Sequence, residues 1–354
     1  MKKLLSILLT ALMITSLAAC GGNSSTTTSS TPETDSSEGS ADTPLIGVCV
    51  FDYSNVFVSY VTKGIEHYVS DGRAEIQMVD AQNDQSKQNE QIDVMIQRGV
   101  DALIVNPVDP TAALVIIDKA KAADIPVVFF NRGPDPEDLK TYDKAWYVGI
   151  ELTMPGRVQA EMVMDWWAEN PDADLNGDGK MQYLTLIGDL GNPDAEARTQ
   201  ANTDTFEEAG FAVDSLDSQI AEWNTTKAKE VTETWIGRFN DSIEMIISNN
   251  DAMALGVVEA LKTHDKKVPV IGINAIPAAL ELIEDGWMIG SVLSDPWGQA
   301  CAAIDLSLNS INGEEDVTAG TEWVLDDLKA VRIPDQIITK ENIQVAYDIY
   351  KLCE

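Results

Sequence analysis

From residue 45 onward the hydrophobic positions alternate between two periods. Short apolar runs, "IGVCVF" (46–51), "AEIQMV" (74–79), "ALIVN" (102–106), "PVVFFN" (126–131) and "AWYVG" (145–149), read as strands. Segments between the first four, such as "SKQNEQIDVMIQRG" (86–99) and "TAALVIIDKAKAAD" (111–124), carry their apolar residues at helical spacing. The alternation resumes with "MQYLTLIG" (181–188), "SIEMIISN" (242–249), "VPVIGIN" (268–274) and "MIGSVLS" (288–294), with "DAMALGVVEALKTHD" (251–265) among the helices. Strands alternating with helices predict parallel sheets covered on both faces, and two such series predict two doubly wound α/β lobes. Ligands in such folds bind beyond the carboxyl ends of the strands. The residues there are Asn55, Phe57, Asn131, Asn192, Asp194, Asn250, Asn274, Ser294 and Asp295, mostly polar and uncharged. No GxGxxG or GxxxxGKS/T follows a strand, which argues against a nucleotide site.

The first residues follow a different pattern. Lys2 and Lys3 precede an apolar run over 4–17 that ends in "LAAC" at Cys20, the layout of a secretory signal over 1–19 and too short for a membrane span. Leu17-Ala18-Ala19-Cys20 resembles a bacterial lipobox, whose cysteine is lipidated and becomes the first mature residue. Residues 21–43 offer almost nothing to bury, so 20–43 reads as a flexible tether from a membrane anchor. A net charge of −34 repels nucleic acid and anionic headgroups, leaving a neutral or cationic small ligand. Cys49, Cys301 and Cys353 form no CxxC or Cys/His cluster, although Cys301 and Cys353 remain a possible pair. With His67 and His264 as the only histidines, acid–base chemistry has little to draw on.

One loop carries its own chemistry. In "DLNGDGKMQYLT" (174–185), Asp174, Asn176 and Asp178 alternate and Gly179 follows, as in the first half of an EF-hand calcium loop. The twelfth position, where a bidentate glutamate belongs, is Thr185. The loop is either a plain turn or lacks one ligand that arrives from elsewhere in the chain.

Five stretches, "QNDQSKQNEQIDVMI" (82–96), "PVVFFN" (126–131), "YDKAWYVG" (142–149), "NPDAEAR" (192–198) and "NNDAMALGVVEALKTH" (249–264), resemble the galactose/glucose-binding proteins, receptors of sugar ABC importers. The resemblance runs from about residue 45 to about residue 340. It implies a type I periplasmic-binding fold: two doubly wound parallel-sheet lobes joined by three crossovers, with sugar held between them. The implied N-terminal lobe is 44–149 and 296–331, and the C-terminal lobe 150–295 and 332–354. Crossovers are implied near 149–150, near 294–295 and after Val331.

Residue by residue, the resemblance implies aromatic walls at Phe57 and Trp223, which would cover the C–H faces of a pyranose. Asn131, Asp194, Arg198 and Asn250 match the polar rim, whose planar groups meet adjacent hydroxyls. Four rim positions depart from the family: Asn55 and Asn274 stand for aspartates, Asn192 for a histidine and Ser294 for an asparagine. An amide accepts or donates, so these changes relax the demand a carboxylate makes. The ligand is expected to be a galactose- or glucose-type monosaccharide, with a site recut for a different sugar as the alternative.

The family also implies a structural Ca²⁺ held by Asp174, Asn176, Asp178, the Lys180 carbonyl and Gln182, with the missing ligand supplied by Glu244. The implied partners are an ABC permease with its ATPase, and the membrane through lipidated Cys20 on the extracytoplasmic face. The protein is expected to act as a monomer, with no nucleic acid and no catalysis. A sugar-sensing donor to a chemoreceptor or sensor kinase shares the same features. A glycoside hydrolase would need two carboxylates about the scissile bond, and one carboxylate, Asp194, remains in the expected cleft. A sugar-responsive transcription factor would need a helix-turn-helix ahead of residue 45, where the signal and tether stand instead.

Overall fold

A computed structural model describes residues 43–354, so the expected signal segment, Cys20 and the tether through residue 42 lie outside the described residues. The first sheet contains β1 (Leu45–Val50), β2 (Glu75–Asp80), β3 (Ala102–Val105), β4 (Val127–Phe130), β5 (Ala145–Gly149) and β11 (Ala330–Arg332). Its order is β11-β5-β4-β3-β1-β2, parallel throughout. The second contains β6 (Met181–Ile187), β7 (Val213–Ile220), β8 (Met245–Ser248), β9 (Val270–Ile273), β10 (Met288–Leu293) and β12 (Gln336–Ile338), ordered β12-β10-β9-β8-β6-β7. Only β12 runs antiparallel to its neighbour. This is the two-lobed arrangement of the type I periplasmic-binding fold.

The strands are apolar on both sides because each sheet is covered on both. In the first sheet Ile46, Val48 and Val50 face one core while Cys49, Leu103 and Val105 face another. In the second, Leu184 and Leu186 face one core, and Met181 and Tyr183 the other. Helix α10 (Pro296–Ile311) packs on β3, β4 and β5, whereas α5 (Met154–Glu169) packs on β9 and β10.

The chain crosses between sheets after β5, after β10, and between β11 and β12. Behind these crossings α1 (Val56–Tyr68) and α11 (Ile343–Leu352) meet through Tyr60 and Tyr350, whose rings stand edge-on at 4.7 Å. Cys49, Cys301 and Cys353 are buried free thiols. Among the described residues no helix is long and apolar enough to cross a membrane.

Candidate functional site

The carboxyl ends of the two sheets face a narrow cavity between the lobes. It is lined by Asn55, Phe57, Asn131, Asn192, Asp194, Arg198, Trp223, Asn250 and Asn274, so it gathers the strand-end and sugar-site candidates except Ser294 and Asp295. Phe57 comes from the first turn of α1, and Trp223 from the turn between β7 and α7 (Thr225–Phe239). Phe51 and Arg132 complete the lining. Both escaped the sequence reading. Arg132 follows Asn131 directly, and its charge just past a strand end was the available signal.

Three of the cavity amides are also helix caps. Asn55 Oδ1 accepts from Val58 N–H at 3.1 Å, and Asn250 Oδ1 from Met253 N–H at 3.0 Å. Asn192 Oδ1 accepts from Asp194 N–H at 3.0 Å and Ala195 N–H at 3.2 Å. They begin α1, α8 (Asp251–Thr263) and α6 (Pro193–Glu208). A backbone N–H requires an acceptor, so capping fixes which way each amide points. Each keeps its Nδ2 donor for a ligand, and Asn55 and Asn250 keep a second lone pair on Oδ1 as well, whereas Asn192 Oδ1 already holds two N–H groups. Of the amides expected to accept or donate freely, Asn192 is thereby turned toward donation, while Asn55 keeps one acceptor lone pair.

The cavity's charges are one carboxylate and two guanidiniums. Asp194 is buried, which raises its pKa, while Arg198 and Arg132 oppose that rise. Arg198 donates to the Asn249 carbonyl at 2.8 Å, and its Nε has no protein partner. Arg132 lies over the Phe51 ring at 3.6 Å, donates to the Val108 carbonyl at 2.8 Å, and reaches Asp189 of the other lobe at 3.3 Å. Burial pulls its pKa down, and Asp189 and Asp194 counter that.

Three lining residues adopt left-handed backbone: Asn131 at φ 62°, Trp223 at 56° and Asn274 at 113°. Such conformations cost free energy and persist only where surrounding bonds hold them. Here Tyr147 Oη donates to the Asn131 carbonyl and Tyr350 Oη to the Asn274 carbonyl, each at 2.8 Å. Trp223 Nε1 is buried without a partner. Ser294 is buried behind the lining, with its Oγ unpartnered.

The calcium-like loop lies away from this cavity. Asp174 accepts from Gly177 N–H at 2.8 Å and Gly179 N–H at 2.9 Å, and Gly179 takes φ 75°. Buried Glu244 comes to the loop, accepting from Leu175 N–H at 2.7 Å and Gln182 N–H at 2.9 Å. The amide nitrogens of Asn176 and Gln182 donate into the Asp178 carboxylate. The Lys180 N–H also donates to Asp178, at 2.8 Å. Among the described residues, no three His, Cys, Asp or Glu side chains converge as a metal cage; these carboxylates hold N–H groups instead.

Two α/β lobes with a polar, aromatic-walled cleft between them define a solute-binding protein. The chain belongs to the periplasmic binding protein domain family, whose profile matches residues 46–315. It is 42% identical over 84% of its length to the D-galactose/methyl-galactoside binding periplasmic protein of Haemophilus influenzae, covering 90% of that protein. It is 29% identical to the ribose import binding protein of Bacillus subtilis, over 84% of this chain and 89% of that one. Among solved structures, an ABC transporter solute-binding protein from Bacillus halodurans with bound myo-inositol superposes with a TM-score of 0.74 at 28% identity. That match covers 88% of this chain and 99% of the other.

Proposed function

We propose that this chain is the extracytoplasmic, non-catalytic receptor of an ABC sugar importer, binding a galactose- or glucose-type monosaccharide between lobes that close on their three crossings. The observation that carries the reading is the cavity. Phe57 from one lobe and Trp223 from the other line a space ringed by amides, one carboxylate and two guanidiniums. Aromatic faces suit the C–H faces of a sugar, and the polar ring suits its hydroxyl edge. The relative named for D-galactose and methyl-galactoside binding favours that ligand class. Asn55, Asn192 and Asn274, amides standing where the family carries aspartates and a histidine, keep a second reading open, in which the site is recut for another sugar.

In this reading Cys20 carries the lipid that holds the receptor at the membrane, a permease with its ATPase takes the sugar, and the receptor acts as a monomer. A structural Ca²⁺ at the 174–182 loop belongs to the same reading. Its support is a set of side chains that all carry oxygens, with buried Glu244 brought to the loop. A turn of the Asn176 and Gln182 amides would replace their nitrogens by oxygens around such an ion. The ion would brace the loop and contribute no binding chemistry.

Titration calorimetry against D-galactose, D-glucose, their methyl glycosides, pentoses and myo-inositol tests the function. Binding of galactose or glucose supports it. Binding of another sugar alone moves the ligand to the second reading, and no binding across the panel removes both.

A further inference from the structure

Four of the cavity amides turn their oxygens toward the protein. Asn55 and Asn250 each give one Oδ1 lone pair to a helix N–H, and Asn192 Oδ1 holds two. Asn131 Oδ1 accepts from Asn106 Nδ2 at 3.4 Å, and the Phe130 carbonyl fixes that Nδ2 at 2.9 Å. An amide turned this way offers its Nδ2 hydrogens to whatever fills the cavity. Arg198 and Arg132 line the same space and can only donate, whereas Asp194 is the one carboxylate there. The lining is rich in donors and short of acceptors.

Its charge leans the same way. Arg198 is 5% exposed, and its Nε has no protein partner. Arg132 reaches Asp189 at 3.3 Å, but among the described residues no carboxylate comes within 4.0 Å of the Arg198 guanidinium. Asp194 stands one turn before it on α6 and stays beyond that distance. A buried charge is costly unless it is paired, so the cavity asks for an anion.

Each hydroxyl of a neutral sugar brings a hydrogen that this lining is poorly equipped to receive. A carboxylate only accepts, and its two oxygens match the fork of a guanidinium. The net charge of −34 does not decide against an anion here. Surface charges are screened over about 8 Å at physiological ionic strength, while the guanidiniums meet the ligand directly. The neutral or cationic ligand expected from the net charge gives way at the site.

We infer that the cleft is built for an acidic monosaccharide, a hexuronate: a galactose- or glucose-type ring whose C6 carboxylate pairs with the Arg198 guanidinium. Phe57 and Trp223 cover the ring, the amide Nδ2 groups donate to its hydroxyl oxygens, and Asp194 accepts a hydroxyl hydrogen. Arg132 adds a second positive charge to the lining. The inference rests on the sugar-receptor reading above and chooses the recut site within it.

The test is calorimetry at neutral pH on wild type and Arg198→Gln. The ligands are D-galacturonate, D-glucuronate, their isosteric uronamides, D-galactose and D-glucose. Wild type is expected to bind one hexuronate at least about tenfold more tightly than its uronamide and the matching hexose, because its carboxylate makes charge-assisted bonds. Arg198→Gln is expected to remove most of that preference and bring the hexuronate down to the level of the hexose. A neutral sugar bound by wild type as tightly as either hexuronate, in this set or the panel above, overturns the inference and leaves the sugar receptor standing. An equal loss for hexuronate and hexose in Arg198→Gln also overturns it, since Arg198 then serves the fold or a hydroxyl. Where that variant does not fold, acid against uronamide on wild type decides the matter, and equal binding of the two removes the role of the charge. Failure of wild type to bind any of these sugars, or any of the panel above, overturns the sugar reading and this inference with it.

Discussion

A Cβ on Gly188 would lie 2.1 Å from Cζ2 of Trp223, so the indole rests directly on the backbone that leaves β6. The same strand end is held by Asn249, whose Oδ1 accepts from Gly188 N–H at 3.2 Å and whose carbonyl binds Arg198. The aromatic wall and the guanidinium are thus set by one short piece of chain. Gly188→Ala is expected to displace the indole, because 2.1 Å is far inside van der Waals contact. Calorimetry should show at least tenfold weaker sugar binding, with thermal unfolding still cooperative. Unchanged affinity would mean that Trp223 is not a wall of the site.

Arg132 and Asp189 join the lobes across the cleft at 3.3 Å. The Asp189 side chain is 31% exposed, so solvent screens the pair and its worth is modest. Asp189→Asn is expected to release ligand faster and to weaken affinity about two- to fivefold. Stopped-flow dissociation checks the rate, and small-angle scattering checks for a more open unliganded form. A change confined to the association rate would count against a latch.

Much of this architecture was legible in the sequence, and the parts that were not share a cause. Strands such as β3 and β4 are buried on both faces and stand out as continuous apolar runs. β7, "VDSLDSQI", lies at a sheet edge and is mostly solvated, so its sequence looks like a loop. β11 and β12 have three residues each, too few to show a period. In the site, the strand-end rule brought out Asn55, Asn192 and Asn250. Their capping role depends on where each helix begins, which sets how each amide is turned.

Asp251 begins α8 and is wholly buried; its two oxygens accept from Ser291 Oγ–H at 2.8 Å and Ile276 N–H at 2.9 Å. Burial raises its pKa from 3.8 to about 7, with those bonds and Arg198 opposing. Below 3.8 the carboxyl is protonated in both states. Between 3.8 and about 7 only the folded state keeps the proton, so its contribution to stability falls as pH rises. Urea unfolding of wild type and Asp251→Asn should show a larger wild-type advantage at pH 5 than at pH 8. Other acids whose pKa burial raises, Asp194 and Asp335 among them, are common to both proteins and cancel. An advantage that grows with pH would reverse the sign and refute the buried neutral acid.

Glu244 joins the start of β8 to the 174–182 loop through Leu175 and Gln182. If Ca²⁺ binds there, excess ion stabilises the folded state by mass action, about 2.7 kcal/mol at a hundredfold excess over Kd. Wild type is expected to melt at higher temperature in Ca²⁺ than in chelator, and Glu244→Gln to lose most of that difference. Sugar affinity at saturating Ca²⁺ should be the same in both, since the loop lies away from the cleft. A wild type that melts identically in Ca²⁺ and chelator would show the loop to be a turn closed by its own N–H groups.

The fixed amides allow a separation of stability from recognition. Asn55→Asp keeps an oxygen for the Val58 N–H and puts negative charge at a helix N-terminus, where it is favourable. The cap survives, so the melting temperature should stay within about 1 °C, corresponding to a change under about 1 kcal/mol. What changes is the face turned to the cavity, where an Nδ2 donor becomes an acceptor. With Asp194 the one carboxylate in the lining, an added acceptor should tighten binding of a neutral hexose such as galactose. Charge-assisted bonds are the stronger kind, so the gain should be about tenfold, read by calorimetry on the same preparations used for melting. Weaker binding with an unchanged melting temperature would instead mean that the native ligand accepts a hydrogen bond from Asn55, and that the site favours a sugar other than galactose.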